Sequence, residues 1–257
     1  MFKKSLALFS VFLFVILAAS NVFAVRLIEP ESKVLEGDDL VGKVYPGGTL
    51  ELIFSKENGK YSEVNLLTAL PEEYSFVVTE ELEAFKIFIT VPKEEVNWRN
   101  ALSIEFLKAG SSGEKDIANV YFLVENELLS TSMNGFSKTT YANSPAGYEF
   151  VFVNKSDVDA VFSVSSSLSK EWFSKADVLV PKRSSKIELL LVNAPVQGKR
   201  QFDFIVDYSN KSSVFNSSIN VLPTIFSKFN SAFYGLPFYS FSLFPSYLLN
   251  SLLSLLF

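Results

Sequence analysis

From Val25 to Pro223 this chain is written in short apolar stretches, many alternating with polar residues and each bounded by Gly, Pro, Asn, Asp or Ser. A period of two puts one side of a strand in a core and the other toward water. Such strands, punctuated at short intervals by turn residues, are the mark of an all-β sandwich. TLELIFS (49–55), YSFVVT (74–79), FKIFITV (85–91), LSIEFL (102–107) and ANVYFLV (118–124) are the clearest in the first half. YEFVFVN (148–154), AVFSVSS (160–166), KIELLLV (186–192), FDFIVDY (202–208) and SSINVL (217–222) follow in the second. No stretch sustains a long helical apolar period, which argues against crossover helices and a parallel sheet. The most helix-like piece, ENELLSTSM, is short and falls in the connection between halves.

The halves read as diverged copies of one unit, offset by about 100 residues. KIFITVP (86–92) falls against KIELLLV, LSIEFL against FDFIVDY, and ANVYFLV against SSINVLP, whereas Trp98 does not fall against Trp172. The duplication is therefore one of strand order. Within each strand the alternation is explicit. Tyr148, Phe150 and Phe152 share a side opposite Glu149, Val151 and Val153, and Phe202 and Phe204 lie opposite Asp203 and Ile205. The chain has 26 Phe and no Cys, so apolar packing and not a disulfide framework must hold the fold. Exported animal proteins usually carry disulfides, which makes a prokaryotic source the expectation.

The second half presents, in order, SPAGYEF, VFVNKSDVDA, LSKEW with Trp172, VLVPKRSSKIELLLVNAP and GKRQFDFIVDYS. This order resembles the Ig-like domains of archaeal and bacterial cell-surface proteins, of the NEW3-like and CARDB-like groups. It covers about residues 145–222 and, more loosely, 45–125, where YPGGTLELIF and ITVPKEE take the corresponding places. Asn154, Lys155 and Pro181 fit the pattern, while the first half has no strand-end Asn. The resemblance implies seven-stranded sandwiches serving as spacers, adhesion modules or accessory binding domains, and it transfers no catalytic residue. The expected fold is all-β, with two tandem Ig-like antiparallel β-sandwiches at 25–126 and 127–223. A signal helix at 1–24 precedes them and a hydrophobic, membrane-associated segment at 224–257 follows.

With no His and no Cys, Ser-His-Asp and Cys-His catalysis and His-ligated zinc are excluded. The acidic runs Glu72–Glu73, Glu80–Glu81–Glu83 and Glu94–Glu95 sit beside turn prolines or at strand ends and read as solvated charge. No enzyme, cofactor or metal centre is expected. Asp157 and Asp159 form a D-x-D pair of hard oxygens, but no third and fourth calcium ligand follows, and a polar hairpin loop is the favoured reading. Asp38 and Asp39 invite the same reading with less support. Trp98, Trp172 and Tyr208 are candidate ligand-stacking aromatics, with core or edge packing as the commoner fate. Asn154, Asn210 and Asn216 head N-x-S sequons and are candidate glycosylation acceptors. Net charge is -5 with no basic stripe, so nucleic acid is not an expected partner.

Residues 1–24 open with Lys3 and Lys4, continue through an apolar run and close on small residues, the layout of a secretory signal with a cut expected after Ala24; an uncleaved signal anchor over residues 5–24 is the alternative. Residues 229–257 carry no charge and exceed the ~20 residues a membrane helix needs. Pro237 and Pro245 interrupt them and no basic residue closes them. A membrane anchor, an interfacial segment and an association segment for partner subunits are the alternatives. The expectation is an exported, membrane-anchored surface protein with a structural, adhesive or spacer role, or an accessory module for a surface protein or glycan partner.

Overall fold

The computed structural model describes residues 25–94, 98–110, 113–224 and 253–254. The signal segment 1–24 and the hydrophobic tail, apart from Thr224, Leu253 and Ser254, lie outside the described residues. Among the described residues no helix is long and apolar enough to cross a membrane.

Two compact units emerge. The described part of the first runs from Val25 to Leu129 and takes in the segments Asn154–Ala160 and Pro181–Arg183. The second comprises Ser130–Val153, Val161–Val180 and the chain from Ser184 onward.

The first unit contains β1 (Arg26–Glu29), β2 (Lys33–Val34), β3 (Asp39–Val44), β4 (Thr49–Ser55), β5 (Tyr61–Leu66), β6 (Ser75–Glu80), β7 (Ala84–Thr90), β8 (Trp98–Lys108) and β9 (Lys115–Val124). One sheet has the order β2-β1-β4-β7-β6 and the other β3-β9-β8-β5. Alternation decides which side is buried. In β4, Leu50, Leu52 and Phe54 are buried between half-exposed Glu51, Ile53 and Ser55. They meet Ile87 and Ile89 of β7, Ile104 and Phe106 of β8, and Val120 and Phe122 of β9 in one core. Phe106 is its aromatic hub, with ring centroids 5.2 Å from Phe54 and 5.5 Å from Tyr61.

The second unit contains β10 (Leu129–Asn134), β11 (Ser137–Tyr141), β12 (Ala146–Asn154), β13 (Ala160–Ser166), β14 (Ala176–Val180), β15 (Ser184–Val192), β16 (Gly198–Tyr208) and β17 (Lys211–Leu222). Its sheets have the orders β10-β12-β15 and β11-β17-β16-β13-β14. Tyr148, Phe150 and Phe152 are buried on one side of β12, and Phe202, Phe204 and Val206 on one side of β16. Phe204 lies 5.1 Å from Phe150, 5.2 Å from Tyr148 and 5.3 Å from Phe173, in edge-on geometries that suit the ring quadrupoles.

Both units place their central strands alike, in a two-sheet immunoglobulin-like arrangement. β7 and β15 follow β4 and β12 in one sheet, and β8–β9 and β16–β17 form the hairpin at the heart of the other. These are the strands that the offset of about 100 residues sets against one another.

Two expectations need correction. The sandwiches are not wholly antiparallel: β3 runs parallel to β9, from Asp39–Val120 to Val44–Val124, and β11 runs parallel to β17, from Ser137–Ser218 to Tyr141–Leu222. No crossover helix is needed, because the opening segment of each unit is split. Its first part joins one sheet, and the rest crosses to the other and lies beside the closing strand. ENELLSTSM forms no helix; its second part is β10, with Leu129 and Met133 buried. A spacing of four satisfies helix and strand alike, and pairing with β12 selects the strand. Short strands such as β2, β5 and β14 carry too few alternations to stand out from loops.

Trp172 is buried in the second unit and reports on it by fluorescence. Phe204→Ala is expected to lower that unit's unfolding free energy by about 3–5 kcal/mol in urea titration followed by Trp172 emission.

Candidate functional site

The NKSDVDA loop holds a dense set of polar residues, and its geometry is that of a bracket. Asn154 ends β12 and is 1% exposed. Its amide nitrogen donates to the carbonyls of Val158 (2.7 Å) and Pro181 (3.1 Å). Its Oδ1 accepts from the Ser156 N–H (3.0 Å) and hydroxyl (2.6 Å). With the amide nitrogen committed to two carbonyls and the side chain buried, Asn154 cannot carry a glycan in this fold, which corrects its reading as an acceptor. It instead ties two loop segments together.

Asp157 and Asp159 hold protein donors. Asp157 Oδ2 accepts from the backbone N–H of Lys43 (2.6 Å), and Oδ1 pairs with the Arg183 guanidinium. The Asp157 N–H donates to the Lys43 carbonyl at 2.8 Å, so β3 is gripped twice. Asp159 Oδ1 accepts from the Lys182 N–H at 2.8 Å, and its carbonyl accepts from the Tyr45 hydroxyl at 2.9 Å. Asp39 accepts from the Glu36 N–H at 3.0 Å and lies 3.5 Å from the Lys33 ammonium. Among the described residues no group of three or more His, Cys, Asp or Glu could hold a metal ion.

The three aromatics form no platform. Trp172 is 4% exposed and Tyr208 is buried, its ring 5.1 Å from Phe162, so both belong to the core of the second unit. Their reading as stacking residues is corrected by that burial. Trp98, at the start of β8 in the first unit, is 62% exposed. Asn210, in the β16–β17 turn, and Asn216, on β17, are exposed.

A third polar constellation lies in the first unit. The Tyr61 hydroxyl donates to Asp116 (2.7 Å) and accepts from Lys60 (2.9 Å), and Lys108 lies 3.4 Å from Asp116. Burial, and then the Asp116 acceptor, hold the Tyr61 phenol up at about 12 against the pull of Lys60. Burial alone pushes Tyr148 to about 12. These charges satisfy one another.

A polar groove lies on the second unit. The groove, of ≈ 510 Å³, is lined by Phe136, Gln201, Phe202, Asp203, Asn216 and serines 137, 167, 217 and 218. A second depression of ≈ 300 Å³ shares Ser167, Gln201 and Phe202 with it and adds Trp172 and Arg200. Period-two alternation builds it: Gln201 and Asp203 face out of β16 because Phe202 and Phe204 face in, and Ser218 and Asn216 stand directly opposite on β17. Among the described residues, the Gln201 and Asn216 amides and the Asp203 carboxylate have no hydrogen-bond partner within the protein. Arg200 covers the Trp172 ring at 4.7 Å, which uses its face and leaves its edge donors open. The sequence singled out Asn216 and Trp172 here for other reasons. Gln201 and Asp203 are recoverable as the polar half of β16, but nothing local announces that Arg200 meets Trp172.

No protein-family profile matches this chain, and no curated protein does. Among solved structures it is similar to a chimeric titin Z1Z2 functionalised with a KLER peptide from decorin, with 15% identity, 77% of this chain and 97% of that one covered, and a TM-score of 0.41. It is also similar to an endo-fucoidan hydrolase of glycoside hydrolase family 107, with 11% identity, 74% and 29% covered and a TM-score of 0.34. A third is the Yersinia pseudotuberculosis adhesin InvE, with 10% identity, 70% and 56% covered and a TM-score of 0.30. This chain thus spans little over half of the adhesin and under a third of the hydrolase. The Ig-like assignment rests on strand order, and these distant likenesses transfer no function.

Two outcomes test the polar sites. Asp157→Ala removes a buried acceptor from Arg183 and Lys43, and urea unfolding is expected to show a loss of about 1.5–3 kcal/mol. Because the folded state holds the Tyr61 and Tyr148 protons more tightly than the unfolded chain, stability is full below about 10 and declines as pH rises through about 12. The urea midpoint is expected to fall across that window, and to fall less in Tyr61→Phe.

Proposed function

We propose that this is an exported, non-catalytic surface protein that is tethered to a membrane through residues 229–257 and acts as a structural or adhesive spacer. The observation that supports the reading is the repetition of one Ig-like strand order in two consecutive units. A sandwich of this kind is a scaffold on which function depends on grafted sites and not on the fold itself. The ionisable groups of the Asp157 bracket and the Asp116 cluster are engaged with each other, as a scaffold requires. The uncharged tail supplies an apolar length sufficient to enter a bilayer, and the segment 1–24 supplies the export signal. In a glycosylating host the exposed Asn210 and Asn216 are the acceptors.

A second reading, an accessory module that binds a glycan or peptide, is favoured by the groove along β16 and β17. Amides, a carboxylate, a guanidinium and hydroxyls in a shallow trough match the donors and acceptors of a polyhydroxylated or extended polar ligand.

Fractionation tests the first reading. Full-length protein is expected to sediment with membranes and to resist carbonate, and a chain ending at Pro223 to remain in the supernatant. Carbonate release of the full chain would exclude a spanning anchor. Titration of the Trp98→Phe variant with neutral tetrasaccharides separates the readings, since Trp172 emission shifts only if the groove is occupied.

A further inference from the structure

The two units differ at one sheet edge. In the first, β7 is flanked on its outer edge by β6, in an antiparallel ladder from Ser75–Thr90 to Glu80–Phe85. The equivalent strand in the second unit, β15, ends the order β10-β12-β15, and among the described residues β12 is the one strand in its sheet beside it. An open edge presents unpaired N–H and C=O groups as a template for another strand. Natural edges are commonly blunted by proline, a bulge or inward charge; the outward row of β15 is Ile187, Leu189 and Leu191, exposed by 66%, 59% and 53%, and the alternation sets Lys186 and Glu188 on the opposite side with buried Leu190 and Val192, where they neutralise each other. Leu189 rests on Gly147 of β12, where a Cβ would come within 2.8 Å of its Cδ1, so this row lies close against the sheet.

We propose that β15 is an interface between two copies of this chain, paired antiparallel about a two-fold axis at Ile187. Charge selects both occupant and register. Lys186 and Glu188 flank Ile187 on the same strand, 3.2 Å apart, and both are partly exposed. Centred on Ile187, the pairing sets Lys186 of each copy opposite Glu188 of the other. Opposite charges directly across an antiparallel pair stabilise it. Centring on Glu188 would oppose two carboxylates, and centring on Leu189 would set Glu188 against Leu190. The same patch meets itself, as a closed two-fold interface requires, and the two three-stranded sheets become one.

The absence of cysteine makes the test direct. Full-length Ile187→Cys, in detergent and in membranes, is expected to form a disulfide-linked dimer on mild oxidation. Antiparallel partners on the axis stand about 4.5–5.5 Å apart at Cα, within disulfide reach. Leu191→Cys, off the axis, is expected to cross-link far less. In the Ile187→Cys background, Lys186→Glu or Glu188→Lys should each cut the yield about five-fold, and the double reversal should restore it. Far-UV circular dichroism checks that each variant is folded. Equal cross-linking at positions 187 and 191, or charge reversals without effect, would overturn the proposal. So would cross-linking that arises only when residues 225–257 are deleted, because the tail would then be what covers this edge.

Discussion

Burial of one side of every long strand is the constraint on which the rest of this protein depends. Without cysteine, each unit must draw its stability from apolar surface closed between two sheets, and a period of two assigns each side chain to core or solvent. The Phe150–Phe204 contact in one unit and the Phe54–Phe106 contact in the other show what the alternation achieves, rings from opposing sheets meeting at about 5 Å. The same alternation leaves Gln201, Asp203, Asn216 and Ser218 on the outer face, so the groove is a by-product of the core's geometry.

The long strands were readable because they carry enough alternations to exceed chance. TLELIFS coincides with β4 and AVFSVSS with β13, and the strands set against one another at the offset of about 100 residues occupy like places in their sheets. What escaped was whatever depends on distant partners. β10 was ambiguous because Leu129 and Met133 satisfy two periods, and the parallel pairings of β3 and β11 are decided by where the closing strand arrives. The polar residues fared similarly. Asn154 has the local sequence of a sequon, but Pro181, twenty-seven residues away, claims its amide. Asp157 and Asp159 have the spacing of cation ligands, but Lys43, Lys182 and Arg183 reach them first.

The two units also show how one strand order yields different surfaces. Where the first unit adds β6 beside β7, the second sends β14 to the opposite sheet and leaves β15 at an edge. A single choice of sheet for one short strand therefore widens the polar face that carries the groove and opens an apolar edge on the other side.

The parallel ladders have a mechanical consequence. In the second unit β11, which follows the opening strand β10, and the closing strand β17 lie side by side in the same direction from Ser137–Ser218 to Tyr141–Leu222. A force drawing the two ends apart slides one strand along the other, so the hydrogen bonds of the ladder share the load and must yield together. An antiparallel closing pair pulled from one end would peel open bond by bond. β3 and β9 give the first unit the same property. A chain held at one end and pulled at the other would thus meet its greatest resistance at the seams where each unit begins and ends.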